Sequence, residues 1–489
     1  MSEPHVESAV VGYAGVDEIL DGLAAGRWTS RDIVEQLLER VRVLDDASSA
    51  VQLRAMAAVA EDALEQATRL DQERAAGTVR GALHGVPIVI KDNIEALGLP
   101  GLAGASSLRG RPTRDAPLVT KLREAGMVVL GSTNLSQWAN FRSPRSTSGW
   151  STTGGLVANP WALDRSAGGS SSGSGAALAA GYAPLAIGTE TDGSIVCPAS
   201  LNGVVGLKPT VGVTSRECVV PICASQDSPG PMGRSVRDVA ALYGVLTGED
   251  VPTDEERPLR VAFATTWGAN HPATDALTRE VVEALRSRGH EVIEREVAVP
   301  TPDVHNDELN VMLAELLEDL GAYLANRPGD GVKSLADVVA FEAANAATEL
   351  PFFGHELFLM ALESGGRGAE RYQNARANNL QWAINECLAP GLDGVDAILA
   401  PAYGPAWKSD LVIGGHYGVV ASCATTASAI AGWPIMSVPA GLVGGLPVGV
   451  ALVGRANDEW GLLRVARAVE EVATWSPHAR PTWRAPSRG

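Results

Sequence analysis

Three segments contain the residues whose types and spacing could support chemistry, because each places a lysine or a serine close to a strand-like run. They are GVPIVIKDN at 85–93 with Lys91, SAGGSSSGSGAALAAG at 166–181 with Ser170, and AIGTETDGSIVCP at 186–198 with Ser194. Burying an ammonium group is costly unless the group is paired or neutral. Taken alone, Lys91 is therefore more typical of a salt-bridged structural lysine than of a base.

The segment 166–181 has the composition of a flexible Gly/Ser linker. It runs directly into the helix-forming AALAA and a stop at Gly181, however, and a linker should separate folded pieces instead of being embedded in one. Hydroxyls and backbone N–H groups just before a helix favour an anion or developing negative charge. Phosphate binding is the competing interpretation, but neither a G-K-[ST] ending nor a G-x-G-x-x-G register is present.

The segment 186–198 predicts a strand followed by a tight polar turn. Gly193, just before Ser194, lets the backbone turn sharply. Four successive N–H groups can then form an oxyanion hole. These donors belong to Thr191, Asp192, Gly193 and Ser194. A turn that contains a serine is usually only a turn, so this segment indicates a function only in combination with the other two segments.

Together, the motifs resemble those of the amidase signature family, and the resemblance covers essentially the whole chain. The matching stretches are GVPIVIKDN, GMVVLGSTNLSQWANF, GGSSSGSGAA, GTETDGSIVCPASLNGVVGLKPTVG and the SPGPMGRSVRD segment at 228–238. Such a set in this order is very specific. The resemblance implies an α/β fold in which α-helices cover both sides of a mixed central β-sheet.

The resemblance also implies a Ser–Ser–Lys triad. Matched motif to motif, the lysine falls on Lys91, the bridging serine, which follows a cis peptide bond in the family, on Ser170, and the nucleophile on Ser194. A serine hydroxyl is a poor nucleophile until a base takes its proton, and a lysine can be that base only where burial lowers its pKa toward neutrality. Ser170 would relay the proton, and Ser171 would orient Ser170.

The implied activity is hydrolysis of linear carboxylic amides through an acyl-enzyme, with the oxyanion held by the N–H groups of residues 191–194 and with no metal or organic cofactor. TETDGSIVCP and NLSQWANF look most like the peptide amidase branch, which removes the C-terminal amide from peptides. Peptide amides are therefore the expected substrates, and small aliphatic or aryl amides the alternative. Many family members have two glycines before the nucleophile, whereas this chain has Asp192 and Gly193.

Three other interpretations stay open. G-S-S-S-G at 169–173 formally fits the G-x-S-x-G nucleophile elbow, which would make Ser171 the nucleophile, although no strand-like run precedes it. The chain could instead be the amidase subunit of a tRNA-dependent amidotransferase that uses glutamine ammonia, or a binding protein that retains the fold without catalysis. His84 is interpreted as a hydrogen-bonded residue before a strand, and Cys197 as a small buried hydrophobe.

The elements that must position these segments follow from the spacing of apolar residues. Residues 1–80 predict a helical layer, with helical apolar spacing between Ile33 and Leu44 after a cap at Thr29 or Ser30. From 81 to 247, short β-rich runs alternate with glycine-rich turns and helices. This alternation favours an α/β core with a largely buried sheet, and reaction chemistry usually lies at the loops that leave such strands.

The remainder of the chain predicts three further parts. The charged, proline-bearing segment 248–258 is a linker or a surface loop. Residues 303–390 are rich in helix formers and aromatics, which predicts a helical insertion that shapes a substrate pocket or simply packs. Residues 391–489 return to strands and close with a helix over Glu459–Val472, which would complete a single domain over 1–489.

Composition limits the partners. The 57 acidic residues outnumber the 39 basic ones, so a nucleic acid or an anionic membrane would be repelled. The five cysteines form no C-x-x-C pair, which indicates neither a disulfide framework nor a zinc site. Gly418–Gly454 carries no charge, but its three prolines predict buried strands instead of a membrane span. We expect a cytoplasmic monomer or homodimer that acts on a small-molecule or peptide amide.

Overall fold

The computed structural model describes residues 9–46, 48–49, 51–110, 112–253, 257–329, 331–415 and 421–483. Within these residues the strands are β1 Met56–Val59, β2 Pro87–Lys91, β3 Val128–Thr133, β4 Trp150–Ser151, β5 Gly155–Leu156, β6 Ala158–Asn159, β7 Ala162–Ser166, β8 Leu185–Glu190, β9 Val205–Lys208, β10 Ser228–Gly233, β11 Arg260–Ala264, β12 Glu291–Arg295, β13 Ala397–Pro401, β14 Ile435–Val443 and β15 Leu446–Val453.

The helices alternate with these strands through most of the chain. They are α1 Ala9–Gly12, α2 Val16–Ala24, α3 Ser30–Asp45, α4 Ala63–Ala75, α5 Pro117–Glu124, α6 Ser172–Ala179, α7 Val196–Asn202, α8 Val236–Thr247, α9 Pro272–Ser287, α10 Pro302–Asn326, α11 Leu335–Ala344, α12 Ala346–Glu349, α13 Glu356–Leu362, α14 Glu370–Leu380, α15 Ala389–Gly391, α16 Ala424–Ala431 and α17 Glu459–Val472. A 3₁₀ turn spans Gln137–Asn140, and a π-helical segment spans Gln381–Leu388.

The central sheet has eleven strands within the described residues, in the order β1-β3-β2-β8-β10-β9-β14-β15-β13-β11-β12. Parallel pairs join β2 to β3 and β8, and β11 to β12 and β13, whereas the other neighbours are antiparallel. The sheet is therefore mixed, as predicted. The two parallel groups lie on opposite sides of an antiparallel centre.

Helices cover both faces of this sheet. Along β13, Ala397 and Leu399 belong to a buried cluster that includes residues of α8, α9 and α17. The alternate residues Ile398 and Ala400 belong to a second cluster, which includes α16 and the π-helical segment. Because successive residues of a strand point to opposite faces, these clusters lie on the two sides of the sheet. The predicted arrangement of helices on both sides is confirmed.

The first eighty residues are largely helical, with one exception. Thr29 caps α3, because its hydroxyl accepts from the N–H of Asp32 at 3.0 Å while the Asp32 carboxylate accepts from the N–H of Thr29 at 2.9 Å. The exception is β1, which pairs with β3 at the edge of the sheet. The prediction of helices throughout is wrong here, because four part-exposed residues are too few to show a strand period.

The later predicted elements are mostly where the spacing put them. The main elements of the segment 303–390 are helices, from α10 to the π-helical segment. The closing helix, α17, spans the predicted Glu459–Val472. The uncharged stretch forms the β14–β15 hairpin, although its residues 418–420 lie outside the described part. Residues 254–256 of the linker candidate also lie outside it. Among the described helices, none is both long enough and apolar enough to cross a membrane.

Candidate active site

The candidate residues meet where two parallel strands end. β2 and β8 run side by side, with Ile90 opposite Ile187, so their carboxyl ends lie at the same edge. β2 ends at Lys91, and β8 ends just before the turn that carries Ser194 and leads into α7. The third segment reaches the same place because α6 begins directly after Ser170 and Ser171, and the Ser171 N–H donates to the Ser194 carbonyl at 3.1 Å.

Lys91 is fully buried, and its ammonium nitrogen contacts only neutral oxygens among its hydrogen-bond partners in the described residues. Nζ lies 2.8 Å from the Ser170 hydroxyl, 2.8 Å from the Thr189 hydroxyl and 3.1 Å from the Thr189 carbonyl. Burial lowers the pKa of Lys91 to about 7, against the smaller opposing effect of the Asp227 and Glu190 carboxylates. A substantial fraction of Lys91 is thus neutral near pH 7 and able to accept a proton.

Ser170 is also fully buried, and the peptide bond between Gly169 and Ser170 is cis, as the resemblance predicted. Its carbonyl accepts from the N–H of Ser136 at 3.1 Å, which helps to hold the backbone of Ser170 in place. The structure therefore brings Lys91 and Ser170 into direct contact. Ser194 joins them through the backbone hydrogen bond from Ser171.

The Ser171 hydroxyl is fully engaged by strand β8. It donates to the Thr189 carbonyl at 3.1 Å and accepts from the Thr189 N–H at 3.2 Å. A strand, β7, does precede this segment and ends at Ser166, so our statement that no strand precedes the nucleophile-elbow pattern is wrong. That strand pairs with β6 outside the central sheet, and a hydroxyl held on both sides by backbone is a poor nucleophile.

The turn before α7 leaves its backbone donors available. Gly193 has a φ of +79°, and a Cβ there would lie 2.6 Å from the Tyr403 hydroxyl, so both conformation and space require glycine. In the described part of the chain, the N–H groups of residues 191–194 donate no hydrogen bond to the protein. The next two donors, of Ile195 and Val196, are taken by the Glu190 carboxylate at 2.6 and 2.9 Å. The fold itself therefore does not use the four N–H groups of residues 191–194 within the described residues.

A cavity of about 260 Å³ opens at this turn and reaches Ser194, which is 8% exposed. Its walls combine the nucleophile turn with apolar side chains from elsewhere in the chain, such as Phe141, Ile222, Met312 and Trp407. A larger cavity of about 690 Å³ lies between α8 and α17 and contains none of the predicted site residues. Size alone would have selected the wrong cavity.

Two residues that sequence reasoning set aside are buried, which was expected of Cys197, while His84 was expected only to be hydrogen-bonded. His84 accepts from the Arg80 N–H at 3.2 Å through Nδ1, and its Nε2 lies 3.0 Å from the Leu70 carbonyl. Cys197 borders the cavity, but burial raises the pKa of its thiol to about 12. The thiol therefore stays protonated and unreactive at neutral pH.

Sequence reasoning missed several residues of the site. Thr189 holds Lys91, Glu190 caps α7, and the fully buried Lys208 lies near Glu190, where burial lowers the pKa of Lys208 to about 8. Glu190 and Lys208 lie within the quoted family motifs, but nothing in their spacing indicated a role. The carboxyl group of Asp192 was also missed, because only its backbone N–H was considered.

With this geometry established, comparison with known proteins is informative. The sequence matches the amidase family over residues 32–463. This chain belongs to the amidase family. Among solved structures, the amidase fold of the chain is similar to native peptide amidase from Stenotrophomonas maltophilia, with a TM-score of 0.88 and 37% identity over 98% of this chain and 100% of that chain.

Two sequence relatives extend the comparison across the family. A probable amidase of Arabidopsis thaliana is 34% identical over 94% of this chain and 90% of its own length. A glutamyl-tRNA(Gln) amidotransferase subunit of Symbiobacterium thermophilum is 32% identical over 94% of this chain and 96% of its own length. As a member of the amidase family, the protein is an amide-hydrolysing enzyme of the serine type with the amidase signature fold.

Proposed function

We propose that this amidase hydrolyses the C-terminal amides of peptides through an acyl-enzyme, with Ser194 as nucleophile, Ser170 as proton relay and Lys91 as base. The observation that carries the triad is the 2.8 Å contact between the buried Lys91 Nζ and the Ser170 hydroxyl. A buried lysine whose contacts are all neutral oxygens is a base instead of a salt-bridge partner.

In the proposed reaction, neutral Lys91 takes the proton of Ser170 as Ser170 takes the proton of Ser194. The Ser194 oxygen attacks the amide carbonyl, and the resulting oxyanion is stabilised by the N–H groups of residues 191–194. The leaving nitrogen receives a proton back through Ser170, so the C–N bond breaks and ammonia departs. Water, deprotonated through the same relay, then attacks the acyl ester, which releases the carboxylic acid and restores the Ser194 hydroxyl.

Two observations support peptide amides as the substrate class. The solved structure from Stenotrophomonas maltophilia described above is that of a peptide amidase and aligns over nearly the full length of both chains. The cavity at Ser194 also has apolar walls from four separate parts of the chain, which suits a peptide side chain next to the scissile amide. Other small aliphatic or aryl amides are the alternative within the same chemistry.

A second candidate function rests on the likeness to the Symbiobacterium thermophilum protein, which belongs to an amidotransferase. On that hypothesis the chain would release ammonia from glutamine and need partner subunits. An activity measurement can separate the two candidates, because only the peptide amidase would act on peptide amides without partner subunits. A cytoplasmic location, a monomeric or homodimeric state and the absence of nucleic-acid or membrane partners stay predictions.

The deciding experiment measures ammonia release from amidated dipeptides, glutamine, and simple aliphatic and aryl amides, using the purified wild type and single serine variants. Ser194→Ala should lower kcat by at least about 10³-fold, and Ser170→Ala by a comparable factor. Ser171→Ala should retain most activity, because its hydroxyl is bound to the Thr189 backbone. Folding of each variant is checked by circular dichroism.

The outcomes separate the claims. Turnover confined to simple amides would keep the triad and reject the peptide substrate. Turnover of glutamine alone, gained only with added partner subunits, would favour the amidotransferase. Activity that survives in Ser194→Ala but is lost in Ser171→Ala would overturn the triad and restore the nucleophile-elbow interpretation.

A further inference from the structure

The carboxyl group of Asp192 has no role in the proposed triad, yet it lies on the nucleophile turn and borders the cavity that reaches Ser194. One oxygen, Oδ2, accepts from the Thr426 hydroxyl at 3.4 Å. The other oxygen, Oδ1, is buried and has no hydrogen-bond partner within 3.5 Å in the described part of the chain, although the Thr425 hydroxyl also lies near the carboxyl group. An unpartnered carboxylate oxygen is costly to bury unless a ligand supplies the missing donor.

A second carboxyl group, that of Glu308, lies near that of Asp192. Glu308, on α10, is 4% exposed and accepts from the Gln226 side-chain amide at 2.9 Å. Burial raises the pKa of Glu308, and the neighbouring charge of Asp192 raises it further. Burial also raises the pKa of Asp192, against the smaller opposing effects of the Thr425 hydroxyl, of His305 and of the Thr426 hydroxyl, in that order. Each carboxyl therefore makes ionisation of the other less favourable. A cation that binds between or beside the two carboxyls reduces this repulsion.

The protein supplies no such cation at close range. Within the described residues, the printed side-chain hydrogen bonds to the Asp192 and Glu308 carboxyls come from the neutral Thr426 and Gln226, whereas His305 and Lys208 attract Asp192 through their charge without forming an ion pair. The described walls of the cavity include no lysine, arginine or histidine. A positively charged group that completes this site would therefore come with the substrate.

We propose that Asp192 is a specificity-determining residue, whose carboxylate oxygen Oδ1 binds a protonated amino group carried by the acyl part of the substrate, with Glu308 becoming charged beside the bound ammonium group. This inference rests on the proposed function and narrows it to amides of amino acids or of short peptides with a free amine. An ammonium group donates charge-assisted hydrogen bonds to a carboxylate, and a partly buried cavity strengthens them relative to water. In an amino acid amide the amine lies next to the scissile carbonyl, whereas in the amide of a short peptide it lies one or more residues further away.

The test compares matched substrate pairs that differ only in the charged amine. One pair is alaninamide and propionamide, which places the amine next to the scissile carbonyl. The other is a dipeptide amide and its N-acetylated form, which places the amine one residue further away. The readout is the ratio of kcat/KM values within each pair. A merely structural defect would lower both members of a pair and leave this ratio unchanged.

In the wild type, we expect the amine-bearing member to be favoured by about tenfold or more in at least one pair, which corresponds to about 1.4 kcal/mol. Asp192→Asn should reduce that ratio to about one, and Glu308→Gln should reduce it in part. Asp307→Asn is the matched control, because it removes a half-buried carboxylate from the same helix, one that accepts from the Asn378 side-chain amide at 3.0 Å. Its ratio should equal that of the wild type.

Equal turnover of charged and neutral members by the wild type would overturn this inference while leaving the proposed function intact. A preference that persists in Asp192→Asn would do the same. If Asp192→Asn does not fold, the wild-type ratio and Glu308→Gln still decide the question. Failure of the wild type to release ammonia from either member of both pairs would instead reject the proposed function.

Discussion

At the scale of single residues, the protonation state of Lys91 is set by what surrounds it. Its three hydrogen-bond contacts go to the oxygens of Ser170 and Thr189, and none of these carries a full negative charge. An ammonium group in such a place lacks the partner that normally offsets its burial, so the neutral amine is favoured. The sequence identified the lysine, and its contacts support the proposal that it acts as a base.

This environment predicts the pH dependence of the enzyme. Because only neutral Lys91 can accept a proton, and burial lowers its pKa to about 7, kcat/KM should rise with pH and level off above that value. Below about pH 6, kcat/KM should fall about tenfold per pH unit. Lys91→Arg, which stays charged, should be inactive throughout. Ammonia release between pH 5 and 9 measures the profile.

A second buried lysine provides the control. Burial lowers the pKa of Lys208 to about 8, so its titration would lie close to that of Lys91. Lys208→Met should leave the inflection near pH 7 in place, even if it lowers the rate. The assignment to Lys91 would be contradicted if the inflection near pH 7 disappeared in Lys208→Met. It would also be contradicted if the activity of the wild type fell as the pH rose from 6 to 8.

Gly193 gives a second prediction at this scale. Gly193→Ala adds a Cβ that would lie 2.6 Å from the Tyr403 hydroxyl at a φ of +79°, so the turn must move. Displacing one oxyanion donor typically costs about 10²–10³ in kcat. Gly212→Ala is the control, since Gly212 has a φ of +94° but open space around its Cβ position. Steady-state kinetics should show the loss in Gly193→Ala only, and equal loss in both variants would contradict the steric argument.

At the scale of elements, the sequence predicted the strands and turns of the site because each is a local pattern. The apolar run before Lys91 predicts a strand, and the glycine before Ser194 predicts a turn, each from only a few neighbouring residues. Thr426 and Glu308 could not be placed in the same way. They reach Asp192 from more than a hundred residues away along the chain, and a single sequence contains no signal for that contact.

The helical insertion is attached to the site by a buried polar contact that was equally invisible in the sequence. Glu342, on α11, accepts from the indole N–H of Trp138 at 3.0 Å and lies 3.7 Å from Arg142, with both charged side chains fully buried. Trp138 begins a run of three residues with positive φ that continues through Ala139 and Asn140, and the latter two border the cavity. The insertion therefore fixes one wall of the cavity.

This attachment predicts a large effect of Glu342→Ala. Removing one partner of a buried ion pair typically costs about 3–5 kcal/mol, because the other charge stays buried. The urea midpoint of unfolding and kcat/KM should therefore both fall. Glu291→Ala breaks an exposed pair with Arg260 at 2.8 Å and is the matched control, with an unchanged midpoint. Similar shifts in the two variants would show that the buried contact adds nothing.

At the scale of the whole molecule, the order of strands joins the two halves of the chain at the centre of the sheet. β9, from the first half, pairs with β14, from the last quarter, with Leu207 opposite Met436. Both side chains belong to the same buried cluster. The family resemblance predicted a mixed sheet, but strand patterns alone could not predict this pairing, because it depends on contacts between segments far apart in sequence.

The continuous sheet predicts that the protein unfolds in one cooperative transition, because no boundary separates the packing of β9 from that of β14. Calorimetry should show a single endotherm, and ammonia release should be lost at the same temperature. Leu207→Ala, which removes a fully buried side chain at the junction, should reduce the free energy of unfolding by about 2–5 kcal/mol. The unfolding temperature should therefore fall, but the transition should stay single. Leu97→Ala, at a side chain that is 48% exposed, should not shift it. Two separate endotherms in Leu207→Ala, with activity lost in only one, would mean that the halves fold independently and that the proposed single domain over 1–489 is wrong.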